Sequence, residues 1–185
     1  MLCLSRLTHP PAPRPPTLPP LPTAAGQFQR LPSRRVTGPE LLTCHKERLV
    51  EYVEAAAERA RQLPSSSTGV PPVIHREKES LYFNEHTADC ARLSAGGSVD
   101  VACAVASGRA RAGLAVVRPP GHHAESNTAL GFCFFNNAAV AARAAQAAGA
   151  ARVLILDWDI HHGNGTAEIL EDDPTIMYMS IHRYE

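Results

Sequence analysis

The chain has 185 residues, a length that fits one domain with a tail better than two complete domains. Hydrophobic residues make up 44% of it, enough for a sizeable core, and 18 basic residues balance 18 acidic ones. Zero net charge argues against partners bound by phosphate neutralisation, so we expect no direct nucleic-acid or membrane partner. The five scattered cysteines contain no CxxC pair and predict reduced thiols rather than a disulfide framework.

The first 39 residues differ from the rest of the sequence. They contain ten of the sixteen prolines and no Asp or Glu. Because proline fixes its own backbone angle and lacks an N–H, residues 1–39 predict an extended, disordered tail, followed by a domain over 40–185. An acid-poor N-terminus with arginines is also typical of organelle transit peptides. These are usually rich in serine, and only Ser5 and Ser33 occur here, so organelle targeting is the less favoured interpretation.

Helical signals dominate the next part of the chain. Thr37-Gly-Pro-Glu40 has the composition of a helix start, and apolar residues from Leu41 to Ala60 recur at helical spacing. Residues 64–79 predict a loop. A second helix is expected over about 85–107, with Leu93, Val101 and Val105 facing inward and with Gly96-Gly97 marking either weak helix or close packing.

From residue 114 onward, predicted strands and helices alternate. Apolar strands are expected at 114–117, 153–156 and 176–181, and helices at 136–148 and 166–171, the second with Asn164 as a cap candidate. This alternation is typical of right-handed βαβ crossovers. It predicts an α/β domain whose parallel sheet carries helices on both faces.

Two histidine-rich loops follow predicted strands. RPPGHHA occupies residues 118–124, and DWDIHHGNG occupies residues 157–165. Ligands bind at the carboxyl ends of parallel strands, and adjacent strands bring such loops together. The sequence therefore predicts that both loops contribute to one site.

The second loop has the residue types of a metal site. Asp157, Asp159 and His161 are spaced by two, which directs all three side chains to one side of an extended segment. Carboxylate plus imidazole suits zinc or a similar divalent metal. Asp159 and His161 lie deeper in the loop and are the better ligand candidates, whereas Asp157 suits a supporting role. An exposed turn with incidental Asp and His is the alternative that the spacing leaves open.

The first loop suits proton transfer. His122 and His123 follow Pro-Pro-Gly in a non-helical segment, and imidazole titrates near neutrality. Surface histidines, or a histidine satisfied in the core, are the alternatives. Downstream, Phe132 beside Gly131 predicts the wall of a narrow pocket, and the other aromatic and thiol side chains of this segment are expected in the core: Cys133, Phe134 and Phe135.

Four segments in this order resemble the zinc-dependent histone deacetylase family, closest to its class II branch: RPPGHHAE, GFCFFNN, LDWDIHHGNG and SIHRYE. The resemblance is strongest over 81–185 and weaker over 31–80. It implies the arginase/deacetylase α/β sandwich, with an eight-stranded parallel sheet in the complete domain. It also implies hydrolysis of N-acetyl-lysine amides, with acetylated histone tails or other acetyl-lysine proteins as substrates, corepressor-type partners, and a nuclear or cytoplasmic location.

The resemblance also implies roles for individual residues. Asp159 and His161 would bind zinc. His123 would act as general base on the zinc-bound water, with His122 as its electrostatic and proton-donating partner. Asp157 would orient His122 and Asn164 would orient His123. The substrate would meet Phe132 in the channel wall, the carbonyl of Gly131, and Ser80 at the rim. A structural potassium would lie near Asp157, Asp159, His161, Ser180 and Ile181.

The sequence departs from the family pattern at the metal. A catalytic zinc site normally has three protein ligands, and only two are identifiable here. The family's third ligand, an aspartate, and its oxyanion-stabilising tyrosine lie beyond the SIHRYE-like segment. Asp172 and Asp173 are poor substitutes because they precede the next strand and therefore lie at the opposite ends of the strands from the site. We therefore expect an incomplete catalytic domain with weak or no activity of its own. The alternatives are a non-catalytic fragment or pseudoenzyme that binds a partner, and a relative that deacetylates polyamines or other small amides.

Overall fold

The computed structural model describes residues 29–64, 73–76 and 79–184, so most of the predicted proline-rich tail lies outside the described residues. The elements follow in this order: α1 (Gly38–Leu41), α2 (Glu47–Arg61), β1 (Ile74–Arg76), β2 (Leu81–Phe83), α3 (Thr87–Ala106), α4 (Asn137–Ala147), β3 (Val153–Asp157), α5 (Asn164–Leu170) and β4 (Ile176–Ser180). Among the described helices, none combines the length and apolar character needed to span a membrane.

The predicted helix start at Thr37 is present as a capping box. The Thr37 hydroxyl accepts a hydrogen bond from the backbone N–H of Glu40 at 3.3 Å, and the Glu40 carboxylate accepts one from the N–H of Thr37 at 2.8 Å. The hydrogen-bonded Arg34 guanidinium lowers the pKa of Glu40 to about 2. Val36, in the same segment, is buried and donates its N–H to the carbonyl of Arg92. Packing against α3 therefore begins before residue 40.

The helical layer is built from small side chains. α3 packs against α4 through buried alanines, among them Ala95, Ala102 and Ala139. α3 also packs closely against the segment that precedes α1: at Gly96 a Cβ atom would lie 2.1 Å from the carbonyl oxygen of Arg34. The close-packing interpretation of Gly96-Gly97 is therefore confirmed. The prediction that Leu93 faces inward is wrong, because alanines form the contact face and Leu93 stays exposed.

A short antiparallel hairpin occupies part of the predicted loop at 64–79. β1 pairs with β2 so that Ile74 lies opposite Phe83 and Arg76 opposite Leu81. Phe83 is buried and meets the rings of Tyr52 and Phe134 edge-on. Three residues are too few for an alternating hydrophobic pattern to show, which is why the sequence predicted only a loop.

The strands at 153–180 form the predicted βαβ unit. β3 and β4 pair in parallel, from Val153 opposite Ile176 to Asp157 opposite Ser180, with α5 between them in sequence. One face of this pair is buried against helices α4 and α5. The opposite face leaves large apolar side chains exposed: Leu156, Met177 and Met179.

The predicted strand at 114–117 is not a strand in this structure. The segment forms no sheet pairing with the described residues, and Val116 is 88% exposed. A groove of about 370 Å³ lies between this segment and Ile155 and Leu156 of β3. An apolar run becomes a strand only when a neighbouring strand supplies hydrogen-bond partners, and among the described strands β3 pairs with β4 alone.

Candidate active site

The two histidine-rich loops meet even though the segment before the first loop, 114–117, is not a strand. The N–H of Thr166, in α5, donates to the carbonyl of His122 at 3.1 Å. The side chain of Asn136, the N-cap of α4, donates to the carbonyl of Ala124 at 3.1 Å and to the Thr166 hydroxyl at 3.0 Å. The starts of α4 and α5 therefore hold the first loop against the second. The expected meeting of the loops is confirmed, but the expected strand contact behind it is wrong.

His122 is anchored to a carboxylate. Its Nδ1 atom lies 2.9 Å from Oδ2 of Asp157, so the imidazole donates Nδ1–H to the carboxylate. The hydroxyl of Tyr178, on β4, donates to the same oxygen at 3.0 Å and accepts the N–H of Gly163 at 3.1 Å. Asp157 therefore joins the first loop, the second loop and β4.

The surroundings keep Asp157 ionised. Burial by itself raises the pKa of this carboxyl, but hydrogen bonds from His122, the Asp159 N–H and Tyr178 outweigh burial and lower the pKa. Burial raises the pKa of Tyr178 to about 12, so its hydroxyl keeps the proton that it donates.

His123 is anchored to an amide instead. Its Nδ1 atom lies 2.7 Å from Oδ1 of Asn164, and its ring centroid lies 4.1 Å from that of His122. Asn164 is the first residue of α5 and does not cap it; the N-cap is Gly163, which has no side chain to cap with. The predicted capping role is therefore wrong, and the side chain of Asn164 turns towards the histidine.

Asp159 and His161 occupy the exposed end of the second loop. Oδ1 of Asp159 accepts the N–H of His161 at 2.8 Å and lies 3.1 Å from its Nδ1, and both side chains are about half exposed. Partial burial raises the pKa of Asp159, but the hydrogen bonds from His161 outweigh it and lower the pKa. The donor chemistry suits zinc. The described parts of the chain nevertheless hold no cluster of three or more His, Cys, Asp or Glu side chains arranged around one metal position.

Of the predicted substrate-contacting residues, Gly131 lies against His123, and Phe132 is hydrogen-bonded to Ser80. A Cβ atom on Gly131 would lie 2.5 Å from Cδ2 of the His123 ring, and Gly131 has a φ of +53°. The next residue, Phe132, also has a positive φ and donates its N–H to the carbonyl of Ser80 at 3.2 Å. Phe132 is 61% exposed, whereas Cys133, Phe134 and Phe135 are buried, as the sequence predicted.

The predicted potassium-contacting residues meet at the ends of β3 and β4. Ile181 donates its N–H to the carbonyl of Asp157 at 2.9 Å, and Ser180 pairs with Asp157 in the sheet. The Ser180 hydroxyl lies 2.8 Å from Nδ1 of His182. Asp173, at the other end of β4, pairs with Arg143 of α4 and lies away from this cluster.

Three residues near the site were not predicted from the sequence. Glu125 accepts a hydrogen bond from Nδ2 of Asn164 at 2.8 Å, and Tyr178 binds Asp157. His45 is buried, lies 2.9 Å from the carbonyl of Glu125 through Nδ1, and accepts the N–H of Asn136 at Nε2. No spacing rule connects these residues to their partners. The carboxylate directly after His122-His123-Ala was the one available signal.

Known proteins are similar to this chain in sequence. The model of the histone deacetylase domain matches residues 19–185. Histone deacetylase 15 of Arabidopsis thaliana is 44% identical over 160 residues, which are 86% of this chain and 27% of that protein. Histone deacetylase clr3 of Schizosaccharomyces pombe is 40% identical over 168 residues, covering 89% and 23%. The polyamine deacetylase HDAC10 of Rattus norvegicus is 50% identical over 113 residues, covering 60% and 19%.

A solved structure supports the fold. The crystal structure of the HDA15 HD domain superposes with a TM-score of 0.75 at 43% identity, covering 87% of this chain and 43% of that one. The predicted α/β class, with parallel strands and the arginase/deacetylase arrangement, is confirmed. The chain spans about a quarter of the length of the first two relatives and less than half of the solved domain. The match over residues 19–185, together with these identities, shows that the chain belongs to the histone deacetylase family.

Proposed function

We propose that this chain contributes to a catalytic domain that hydrolyses N-acetyl-lysine amides in histones or other proteins, and that residues 40–185 form part of that domain. The observation that supports this most is the histidine pair, whose two Nδ1 atoms are held by different partners. His122 faces the carboxylate of Asp157, and His123 faces the neutral amide of Asn164.

This difference in partners assigns different roles to the two imidazoles. A carboxylate stabilises a positively charged imidazolium, so His122 suits the electrostatic and proton-donating role. A neutral amide gives no such stabilisation. Because Nδ1–H of His123 is donated to Asn164, its Nε2 carries the lone pair, and it has no hydrogen-bond partner among the described residues. His123 therefore suits the general base that takes a proton from the attacking water.

We propose Asp159 and His161 as two protein ligands of a zinc ion, completed by a third ligand. Zinc bound there would polarise the acetyl carbonyl and lower the pKa of the attacking water. We further propose a structural potassium held near Asp157, Ser180 and Ile181 together with Asp159 and His161, where the ends of the two parallel strands meet.

The substrate would enter beside Phe132. Its exposed side chain, directly after Gly131, which contacts His123, supports a role as a wall of the acetyl-lysine channel, with the Gly131 carbonyl inside and Ser80 at the rim. Acetylated histone tails or other acetyl-lysine proteins are the proposed substrates, and corepressor-type proteins the proposed partners. We propose a nuclear or cytoplasmic location, in line with the relatives named as histone deacetylases.

The test is hydrolysis of an acetyl-lysine peptide by the longest natural protein that contains this sequence, isolated from its source cells. We expect deacetylation that His123→Ala lowers by about 10²–10⁴-fold, the usual contribution of a positioned base. His86→Ala is the control, since His86 is exposed and lies outside the site. Equal activity of the His123→Ala variant and the wild type would overturn the assignment.

Two alternatives have their own outcomes in this assay. The similarity to a polyamine deacetylase supports acetylated polyamines as substrates, and hydrolysis of these in preference to the peptide would favour them. Hydrolysis of neither substrate would favour a non-catalytic protein that acts by binding a partner, which the two-ligand metal set also supports.

A further inference from the structure

Glu125 lies at the end of a series of hydrogen bonds that leads to His123. Its Oε1 atom accepts a hydrogen bond from Nδ2 of Asn164 at 2.8 Å, and Oδ1 of the same amide lies 2.7 Å from Nδ1 of His123. Two of the three side chains come from the stretch 123–125 and the third from the start of α5. Neither the sequence pattern nor the proposed catalytic roles account for Glu125.

Glu125, at the outer end of this series of hydrogen bonds, fixes which group donates and which accepts in each of them. An asparagine amide has a donor side and an acceptor side of similar shape, so by itself it can present either one to a histidine. An ionised carboxylate can only accept hydrogen bonds. Glu125 therefore requires the NH₂ group of Asn164 on its own side, and this leaves Oδ1 towards His123.

The orientation of the Asn164 amide decides whether Nε2 of His123 can accept a proton. Because Oδ1 only accepts, Nδ1 of His123 must carry the proton, and Nε2 must carry the lone pair. If the amide turned over, Nδ1 would become the acceptor, the neutral ring would hold its proton on Nε2, and that atom would no longer accept a proton from water.

Glu125 is itself held in place by its backbone. Its N–H donates to the carbonyl of Thr128 at 2.9 Å, and its carbonyl lies 2.9 Å from Nδ1 of the buried His45. The next residue, Ser126, binds the carboxylate of Glu168 through both its N–H and its hydroxyl. The carboxylate that orients Asn164 therefore projects from a fixed stretch of loop.

We propose that Glu125 is a positioning residue that selects the tautomer of His123 by orienting the amide of Asn164. The importance of this tautomer for catalysis rests on the proposed function. The tautomer itself is a property of the chain that can be measured without any activity.

The experiment measures the tautomer of His123 by ¹⁵N NMR of the 185-residue chain at alkaline pH, where histidine is neutral. Long-range ¹H–¹⁵N correlations show which ring nitrogen carries the proton. We expect the wild type to hold at least about nine-tenths of His123 as the Nδ1–H form, because the alternative leaves two acceptors facing each other. Glu171→Gln is the control: it neutralises an exposed carboxylate at the far end of α5, away from Asn164, and we expect it to leave the tautomer unchanged.

The decisive variants change Glu125 alone and then Glu125 together with Asn164. Glu125→Gln supplies a side chain that can either donate or accept, so we expect both tautomers of His123 to be populated. The double variant Glu125→Gln/Asn164→Asp restores a single polarity, because the introduced carboxylate accepts from both neighbours. We expect it to return His123 to the Nδ1–H form, a rescue that a general loss of packing would not produce. If Glu125→Gln fails to fold, Glu125→Met removes the acceptor and is predicted to give the same mixture.

Each result decides the proposal. A mixed tautomer in the single variant that is reversed in the double variant supports it. An unchanged Nδ1–H tautomer in Glu125→Gln or Glu125→Met overturns it, and so does a mixture that the double variant does not reverse. If the tautomer responds as expected while the natural protein hydrolyses no acetyl-lysine peptide, the proposed function fails and the role of Glu125 stands.

Discussion

The hydroxyl of Tyr178 lies 3.0 Å from Oδ2 of Asp157, the same carboxylate oxygen that His122 binds from the other loop. Tyr178 is on β4 and Asp157 ends β3, so this hydrogen bond crosses between two parallel strands. The hydroxyl also accepts the N–H of Gly163. One phenol therefore connects the start of the second histidine-rich loop, at the carboxylate that anchors His122, to Gly163 near the end of that loop.

Tyr178→Phe should destabilise the chain because it removes both of these hydrogen bonds and keeps the ring. We expect the free energy of unfolding to fall by about 1–2 kcal/mol, measured by urea denaturation. Tyr184→Phe is the matched control, since Tyr184 is fully exposed. Equal stabilities of the two variants would contradict a structural role for the Tyr178 hydroxyl.

Stability should fall in mildly acidic solution because of His45. Burial lowers the pKa of His45 from its ordinary value near 6.5 to about 4 in the folded chain. Between these two pH values the unfolded chain binds a proton that the folded chain does not, so the free energy of unfolding rises with pH across this window. The stabilisation is complete above about pH 6.5 and is lost as the pH falls towards 4, by up to about 3 kcal/mol for this histidine.

The measurement for His45 is urea denaturation at several pH values between 4 and 7. We expect the slope against pH to be shallower in His45→Gln than in the wild type, while the exposed control His86→Gln keeps the wild-type slope. A wild-type slope in His45→Gln would show that other groups cause the acid sensitivity.

Local patterns predicted local structure well, whereas contacts between distant segments were often missed. The helix start at Thr37 and the βαβ unit from Val153 to Ser180 depend on residues close in sequence, and both were predicted. The segment 114–117 has an apolar run but lacks a neighbouring strand among the described residues, and no property of the run itself reveals that. The prediction that Leu93 faces inward was wrong for a similar reason, because α4 packs against the alanines of α3.

The site shows the same division. The four segments placed His122 and Asp157 in one site, and the structure brings them to 2.9 Å. The second partners of this site were not predictable, because Tyr178 and Glu125 act through single hydrogen bonds across elements. For a tyrosine in a strand or a glutamate in a loop, no spacing in the sequence indicates which residue its side chain binds.

Gly131→Ala should disturb His123 beyond the strain of its backbone. Gly131 has a φ of +53°, where an alanine costs about 1 kcal/mol, and its Cβ atom would also overlap the His123 ring. Gly108 has a φ of +78° with open space around it and supplies the matched control. We expect Gly131→Ala to lose about 1–3 kcal/mol more than Gly108→Ala in urea denaturation, the usual cost of overpacking. It should also shift the His123 resonances, and equal losses without such a shift would contradict the contact.

Zinc affinity should be weak in this chain, because the described residues offer two ligands where a catalytic site normally has three. After incubation with zinc and dialysis, we expect elemental analysis to find well below one zinc per chain. We also expect Asp159→Asn to lower the retained zinc further, because it replaces a charged ligand with a neutral one, whereas Asp172→Asn, outside the site, should not. One tightly held zinc per chain that Asp159→Asn removes would show that these 185 residues contain a third ligand. Such a result would make deacetylase activity of the isolated chain the next property to measure.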